Sequence, residues 1–165
     1  MATTGLRRFA ATMMAATALL HLYVAFIAEP HEYIDEYPWL GVLFTIGSAA
    51  GFGVAWRLWT RASPAAWTIG TLIAAGMFVG YVISRSVGLF GFYEDYFPWT
   101  GTLSLGLEAA FLIAWEIAGR RAPEEVLPGF ARRMLAGAAS DMTVVIQPEA
   151  QPEAEPRDAS PGMRR

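Results

Sequence analysis

Long apolar stretches alternate with short charged ones over the first 121 residues of the chain. A hydrocarbon core about 30 Å thick requires about 20 mostly apolar residues in a helix that rises about 1.5 Å per residue. Four stretches have this length: residues 9–28, 38–56, 64–84 and 98–118. Because backbone amides in lipid must be hydrogen-bonded within their own segment, we expect each stretch to be an α-helix. The pattern predicts an all-α fold, an integral membrane four-helix bundle over residues 9–121.

The arginines are distributed unevenly between the two sides of these spans. On one side lie Arg7, Arg8, Arg57, Arg61, Arg120, Arg121, Arg132 and Arg133. On the other side the connections are acidic, and Arg85 is their one basic residue. Since positive charge stays in the cytoplasm, both termini, including residues 1–8, are predicted to be cytoplasmic, in a bacterial inner membrane. A cleaved signal peptide over residues 1–28 is disfavoured, because its apolar part exceeds the usual length of about 7 to 15 residues.

The composition agrees with a membrane protein. Of the 165 residues 55% are hydrophobic and 16% charged, and the mean hydropathy is +0.35, which is too apolar for an ordinary soluble domain. The absence of cysteine excludes a disulfide framework, a thiol nucleophile and a thiolate metal site. No phosphate-binding loop or nucleic-acid-binding motif occurs. The expected surroundings are the lipid bilayer and other membrane proteins, not nucleic acid.

Residues 122–165 differ in character from the rest of the chain. They contain several prolines, a weakly amphipathic piece at residues 130–135 and the repetitive QPEAQPEAEP. A segment so poor in apolar residues cannot bury enough surface to offset its loss of chain entropy. We expect a polar, disordered cytoplasmic tail.

One segment of the chain recurs after 60 residues. YIDEYPWLG at residues 33–41 aligns with YEDYFPWTG at residues 93–101. The shared acidic residue, Pro-Trp pair and Gly predict two tandem helical hairpins of the same topology. In this alignment His21 corresponds to Tyr81 and Ser48 to Glu108. The motif itself is better explained as a helix start in an aromatic belt than as a ligand site.

Small residues recur at helical spacing on two of the spans. They are Gly47 and Gly51, then Ala66, Gly70 and Ala74, and finally Gly76, Gly80 and Ser84. Such stripes let helices approach closely in lipid, where burial of apolar surface no longer drives association. We expect them to pack within the chain, while a surplus stripe would serve a membrane-protein partner or a second copy of the chain.

Glu108 is the strongest indication of function, because it lies near the middle of the fourth span. A carboxylate there costs about 2.5–3.5 kcal/mol on insertion scales, so it is rarely kept without a task or a partner. One interpretation is a ligand or proton site. The other is a structural hydrogen bond to Ser48 or Ser104.

Two further groups belong to the same hypothesis. His21, inside the outer end of the first span, is available to Glu108, a metal or a haem iron, or forms a simple hydrogen bond to a neighbouring helix. Arg85 ends the third span, where it either extends to the interface or turns inward to neutralise Glu108. We therefore predict a polar site in the outer half of the bundle, formed by His21, Arg85 and Glu108, with Ser48 and Tyr81 beside them.

The first outer connection concentrates one imidazole and four carboxylates: Glu29, His31, Glu32, Asp35 and Glu36. These ligands suit a divalent metal, but an acidic outer loop is also what orientation by charge produces, and the spacing matches no known site. His31 would have to fold back by about 10 Å to share an iron with His21. A bis-histidine haem is therefore not expected, while a single axial ligand stays open.

His21, the EPHE stretch at residues 29–32, the SRSVGL run at residues 84–89 and Glu108 together resemble an uncharacterised family of small four-span membrane proteins of actinobacteria and other bacteria. The resemblance covers about residues 10–118. It implies the same four-helix architecture and no particular activity.

Three functional hypotheses follow from these residues. The first is a membrane protein whose polar intramembrane site binds a small ligand, a metal or a proton. The second is an accessory subunit that docks on a larger membrane complex through its small-residue helix faces. A membrane-embedded enzyme comes third, because the sequence shows no recognisable nucleophile and base pair.

Overall fold

The computed structural model describes residues 2–28, 31–94 and 98–144. Its four long helices are α1 (Ala2–Tyr23), α2 (Pro38–Thr60), α3 (Pro64–Ser86) and α4 (Trp99–Arg121), followed by α5 (Pro123–Val126) and α6 (Gly129–Val144). Between α1 and α2 lie two π-helical segments, Val24–Ala28 and His31–Glu36. The four long helices, α1 together with its π-helical extension, are long and apolar enough to cross a membrane. The prediction of an all-α four-helix bundle is confirmed.

Prolines determine where α2 and α3 begin. Pro38 and Pro64 occupy the first turn of these helices, where a missing amide proton costs no hydrogen bond. The Ser63 hydroxyl caps α3 by accepting a hydrogen bond from the Ala66 amide at 3.3 Å. Both starts agree with the predicted spans. The ends of α2, α3 and α4 lie a few residues beyond them, because each helix continues through the arginines that end its apolar stretch.

Helices that follow one another in the chain are neighbours in the bundle. α1 packs most extensively against α2 and α4, and α3 packs against α4 and α2. In the described part of the chain the diagonal pairs make few contacts. The four helices therefore form a ring around a common interior. We call the end that carries Ala2 and the α2–α3 connection the proximal end, and the end that carries the other two connections the distal end.

The outside of the bundle is apolar. Its exposed side chains include Leu19, Ile27, Val42, Ile46, Trp56, Ile69, Leu72, Val79 and Ile113. Charged residues lie towards the ends instead, where the Arg8 guanidinium sits 5.5 Å from the centroid of the Trp59 ring and Arg120 pairs with Glu116. An apolar surface of this extent would aggregate in water and is covered in a bilayer, which indicates a multi-pass membrane protein.

The proximal half of the bundle is densely packed. Its core contains alanines from all four long helices, with Met14, Leu58, Trp67 and Phe111 between them. The rings of Trp67 and Phe111 have centroids 5.7 Å apart and are almost fully buried. Gly70 makes room for this pair, since a Cβ atom there would lie 2.5 Å from Phe111 Cζ. The stripe that contains Gly70 thus packs within the chain, as predicted.

The compact unit extends beyond the predicted domain boundary at residue 121. Val126 of α5 is buried in the proximal core, and the first of two compact units runs to Arg132. α6 contains the predicted amphipathic piece, with Phe130, Met134 and Leu135 exposed. Residues 145–165, which include the repetitive part of the predicted disordered tail, lie outside the described residues.

Candidate intramembrane ligand site

A cavity of about 390 Å³ occupies the distal half of the bundle. All four long helices and both distal connections line it. Most of the lining is apolar, with Leu20, Val24, Leu40, Leu43, Phe44, Leu72, Ile73, Met77 and Leu89 among its residues. The polar lining residues include His21, Ser104 and Glu108 from α1 and α4, and Tyr81, Ser84, Arg85 and Glu94 from α3 and the connection after it. An apolar cavity with a few convergent polar groups is the usual form of a small-molecule site.

His21, Ser104 and Glu108 form a hydrogen-bonded group between α1 and α4. The Ser104 hydroxyl donates to Glu108 Oε1 at 2.8 Å, and its Oγ lies 3.3 Å from His21 Nε2. The direct distance from His21 Nε2 to Glu108 Oε1 is 3.9 Å. Ser104 and Glu108 are one helical turn apart and so face the same neighbour. Of the two predicted hydroxyl partners of Glu108, Ser104 is the one that the structure shows.

The group is held in a buried setting. The His21 ring stacks on Phe44 of α2, with centroids 4.9 Å apart and planes inclined by 30°. The Glu108 residue is 2% exposed, and within the described residues its second carboxyl oxygen, Oε2, has no hydrogen-bond partner. Buried polar atoms are nearly always hydrogen-bonded. Oε2 is therefore one of the atoms through which this group can bind a ligand.

The Ser104 hydroxyl connects the imidazole with the carboxyl group. A hydroxyl has one proton to donate and two lone pairs that accept. When it donates to Glu108, His21 Nε2 must carry the proton that it donates to Ser104 Oγ. When Glu108 is protonated and donates to Ser104, the hydroxyl is free to donate to Nε2. The group can thus pass a proton between α1 and α4, and Glu108 can act as a donor or as an acceptor.

Arg85 lies at the distal end of the same cavity, and its partner is not Glu108. Its Nη2 forms a buried ion pair with Glu94 Oε2, and its Nη1 donates to Ser84 Oγ at 3.1 Å. The guanidinium Cζ lies 3.5 Å from the centroid of the Tyr81 ring, in a cation–π arrangement. The Arg85 side chain is only 8% exposed. The predicted pairing of Arg85 with Glu108 is corrected, since the guanidinium pairs with Glu94 instead.

Glu94 is the residue of this site that sequence reasoning missed, since it counted only as an acidic residue of an outer connection. The Glu94 amide donates to the Ser84 carbonyl at 3.3 Å, so the connection folds back onto α3. This fold-back brings the Glu94 carboxylate to Arg85, which lies nine residues earlier in the chain. Attraction between opposite charges alone would not bring the two residues together.

A tight turn makes the return possible. Leu89 and Phe92 exchange backbone hydrogen bonds, N to O, at 2.7 and 2.9 Å. Between them Phe90 and Gly91 both have positive φ, 48° and 87°. Two central residues with positive φ are the mark of the tight turns that join hairpins. The glycines at positions 88 and 91 were the available signal for this turn.

Of the two residues predicted to accompany the site, Tyr81 lies at the cavity and Ser48 does not line it. The Tyr81 ring packs against α4 at Gly101, where an added Cβ would overlap it. Its buried hydroxyl has no hydrogen-bond partner among the residues that the structure describes. Ser48 instead donates to the Ala18 carbonyl at 3.0 Å and joins α2 to α1.

The predicted metal site in the first distal connection stays a prediction. Glu29 lies outside the described residues, and for His31 and Glu32 only the backbone is described. Asp35 and Glu36 are exposed. Over residues 2–28, 31–94 and 98–144, no three His, Asp or Glu side chains are grouped so that they could hold a metal ion.

The internal repeat also stays a prediction. Tyr33 is buried, at 5% exposure, whereas its counterpart Tyr93 is 58% exposed. His21 and Tyr81, which the alignment matches, both line the cavity. The two copies therefore share a region of the bundle but have different surroundings.

Comparison with known proteins adds no family to these observations. No family model, curated protein or solved structure matches the chain. The resemblance to small four-span bacterial membrane proteins stays a prediction.

Proposed function

We propose that this chain is a bacterial inner-membrane protein that binds a small ligand in the distal cavity, with His21, Ser104 and Glu108 as its polar recognition group. The observation that carries the proposal is the Glu108 carboxyl group, which is buried, lines the cavity and has one oxygen without a partner in the described chain. A structural role requires only the hydrogen bond from Ser104 to Oε1. It does not explain why an acid that costs about 2.5–3.5 kcal/mol to insert is kept beside a cavity.

The orientation in the membrane follows from the charges at the two ends. The proximal end carries Arg7, Arg8, Arg57, Arg61, Arg120 and Arg121. At the distal end Asp35 and Glu36 are exposed, and Arg85 is paired with Glu94. Because positive charge is retained in the cytoplasm, the proximal end is the cytoplasmic one. The cavity then lies in the outer half of the membrane.

An organic ligand held by hydrogen bonds suits this group better than a metal ion. The group offers one imidazole, one carboxyl group and one neutral hydroxyl, and His21 Nε2 is already engaged with Ser104. Metal sites for divalent ions are usually built from three or more imidazole, thiolate or carboxylate ligands. A hydrogen-bonding ligand needs only the donors and acceptors that are present.

Two matched variants test the proposal. Glu108→Gln removes the buried carboxylate, and Glu116→Gln makes the same change on the half-exposed Glu116 of the same helix. Each protein is purified in mild detergent, extracted with organic solvent and examined by mass spectrometry for bound compounds. We expect the parent and Glu116→Gln to carry the same compound, and Glu108→Gln to retain about tenfold less, because a hydrogen bond to a charged group is lost.

Elemental analysis and an absorption spectrum of the same samples identify a bound metal or haem. If the content of a metal or haem depends on Glu108, the site holds a cofactor and not an organic ligand. If all three proteins are equally helical by circular dichroism and hold equal amounts of every bound compound, the proposal is wrong.

The accessory-subunit alternative has one observation in its favour. Gly53 of α2 and Gly106 of α4 are exposed, and in the described chain nothing outside their own helix lies within 4 Å of an added Cβ. Exposed glycines on a membrane helix are typical contact points for another helix. A membrane protein that co-purifies in equal amount with the parent, but not with Gly106→Leu, would establish this role.

A further inference from the structure

We infer that the ligand enters the cavity sideways from the lipid, between α2 and α3, and that it is a single-chain lipophile with a neutral, hydrogen-bonding head group. This inference rests on the proposed function and adds to it the entry route and the class of ligand.

The cavity reaches the lipid-facing surface of the bundle between α2 and α3. Leu43 of α2 and Leu72 and Gly76 of α3 line the cavity and are also exposed on the outside. The exposed fractions of the two leucines are 50% and 69%. At about 1.5 Å per residue, Gly76 lies about 15 Å from the end of α3 at Ser86. The opening therefore faces the hydrocarbon region rather than the head groups.

The side-chain contacts between α2 and α3 change along the two helices. Near their connection Val54 packs on Gly70, where an added Cβ would lie 2.9 Å from Val54 Cγ1. Further along, a Cβ on Gly47 would lie 2.5 Å from the terminal methyl carbon of Met77. At Gly76 an added Cβ meets nothing within 4 Å in the described chain. The gap is thus spanned by an unbranched, flexible side chain, which can move aside for a ligand.

The size and lining of the cavity select a single apolar chain. A volume of about 390 Å³ is at the lower end of the range of small-molecule sites, about 300–1,000 Å³. A transmembrane helix about 10 Å wide would fill it within about one turn. Leu43, Phe44, Ile73 and Met77, which line the cavity on the side of the opening, are apolar. An alkyl or isoprenoid chain matches both the volume and the lining.

The charges around the cavity select a neutral head group. An ionised Glu108 repels an anion, and the Arg85 guanidinium at the distal end is already paired with Glu94. An alcohol or a carbonyl-bearing head group can instead exchange hydrogen bonds with Glu108 Oε2. The buried Tyr81 hydroxyl, which also lines the cavity, provides a second hydrogen-bonding position.

Photolabelling tests the route and the class together. The chain is placed in phosphatidylcholine nanodiscs with a trace of a diazirine-bearing hexadecanol, irradiated, and digested for peptide mass spectrometry. We expect labelling that unlabelled hexadecanol competes away and that maps to residues of α2 and α3 that line the cavity. Gly76→Phe places a ring in the opening and should lower this labelling by about tenfold, the loss that a modest steric conflict produces.

The control is Gly106→Phe, the same change at an exposed glycine of α4 that does not line the cavity, and it should leave labelling unchanged. If Gly76→Phe does not fold, Leu72→Trp narrows the same opening from a position that is already exposed. Loss of labelling in Gly76→Phe and in Glu108→Gln, but not in Gly106→Phe, supports the inference.

Other outcomes separate its failure from that of the proposed function. Labelling that is lost in Glu108→Gln but kept in both opening variants overturns sideways entry and leaves the ligand site standing. A parent without competable labelling, in which another bound compound still depends on Glu108, overturns the ligand class alone. If a second protein crosslinks to the opening between α2 and α3 and excludes the alcohol, a partner helix occupies the opening and the inference is wrong. When neither labelling nor any bound compound depends on Glu108, both proposals fail.

Discussion

The proximal and distal halves of the bundle use the same residue types in opposite ways. In the proximal half, Gly70 of α3 receives the Phe111 ring of α4 and the interior is filled. In the distal half, Gly76 of the same helix meets open space and the interior is a mostly apolar cavity with a few polar groups. A glycine permits close approach, but a large side chain on the neighbouring helix decides whether the space is filled.

What stabilises the two halves differs as well. The distal half is held mainly at its rim, where Tyr33 packs against Phe44 and Phe92 and Arg85 pairs with Glu94. The proximal half is held through its centre by the Trp67 and Phe111 rings and the surrounding alanines. Because these contacts at the rim hold the helices together, the distal cavity can admit a ligand without loss of helix packing.

The largest effect is expected from truncating an aromatic ring in the filled half. Phe111→Ala should lower the free energy of unfolding by about 4 kcal/mol, because a fully buried ring leaves an empty space in a packed core. Phe44→Ala, on the cavity wall, should cost only about 1–2 kcal/mol, because that half-buried ring already borders open space. Unfolding in mixed detergent micelles, followed by circular dichroism, measures both. Equal losses would remove the distinction between the two halves.

A somewhat smaller effect is expected from breaking the ion pair at the distal rim. Arg85→Met removes the guanidinium that pairs with the buried Glu94 carboxylate, which should cost about 3 kcal/mol. Adding Glu94→Gln to the same chain should recover part of that loss, because the buried negative charge is then removed. The same unfolding measurement applies. If the single variant is as stable as the parent, the rim is held by its rings alone.

The smallest changes in the free energy of unfolding are expected when Gly70 and Gly76 are each replaced by alanine. Gly70→Ala should cost about 2 kcal/mol, because its Cβ conflicts with Phe111 and Val54. Gly76→Ala should gain about 0.5–1 kcal/mol, since alanine favours the helix and the added atom meets open space. Thermal unfolding of the pair gives opposite signs if the comparison holds. A loss at both positions would show that the space near Gly76 is occupied.

The site residues that are costly to place in lipid could be predicted from the sequence. His21 and Glu108 stand out because polar groups are costly in a span, and Ser104 follows because it lies one turn from Glu108. The partner of Arg85 was not predictable, because it depends on a turn in which Phe90 adopts a positive φ. The contact of His21 with Phe44 depends on how α1 and α2 are rotated about their axes, which an apolar pattern hardly specifies when lipid surrounds the bundle.

By itself the sequence determined the number of long apolar helices, the proline-defined starts of α2 and α3, and the acid that must turn away from lipid. These follow from local causes, namely the length of an apolar run, the missing amide of proline and the cost of a charge in hydrocarbon. Only the tertiary structure decided which glycines are covered, which carboxylate takes the arginine and where the bundle stays open. Those outcomes depend on side chains that meet from distant parts of the chain, and their fit is a property of the packed bundle rather than of any one helix.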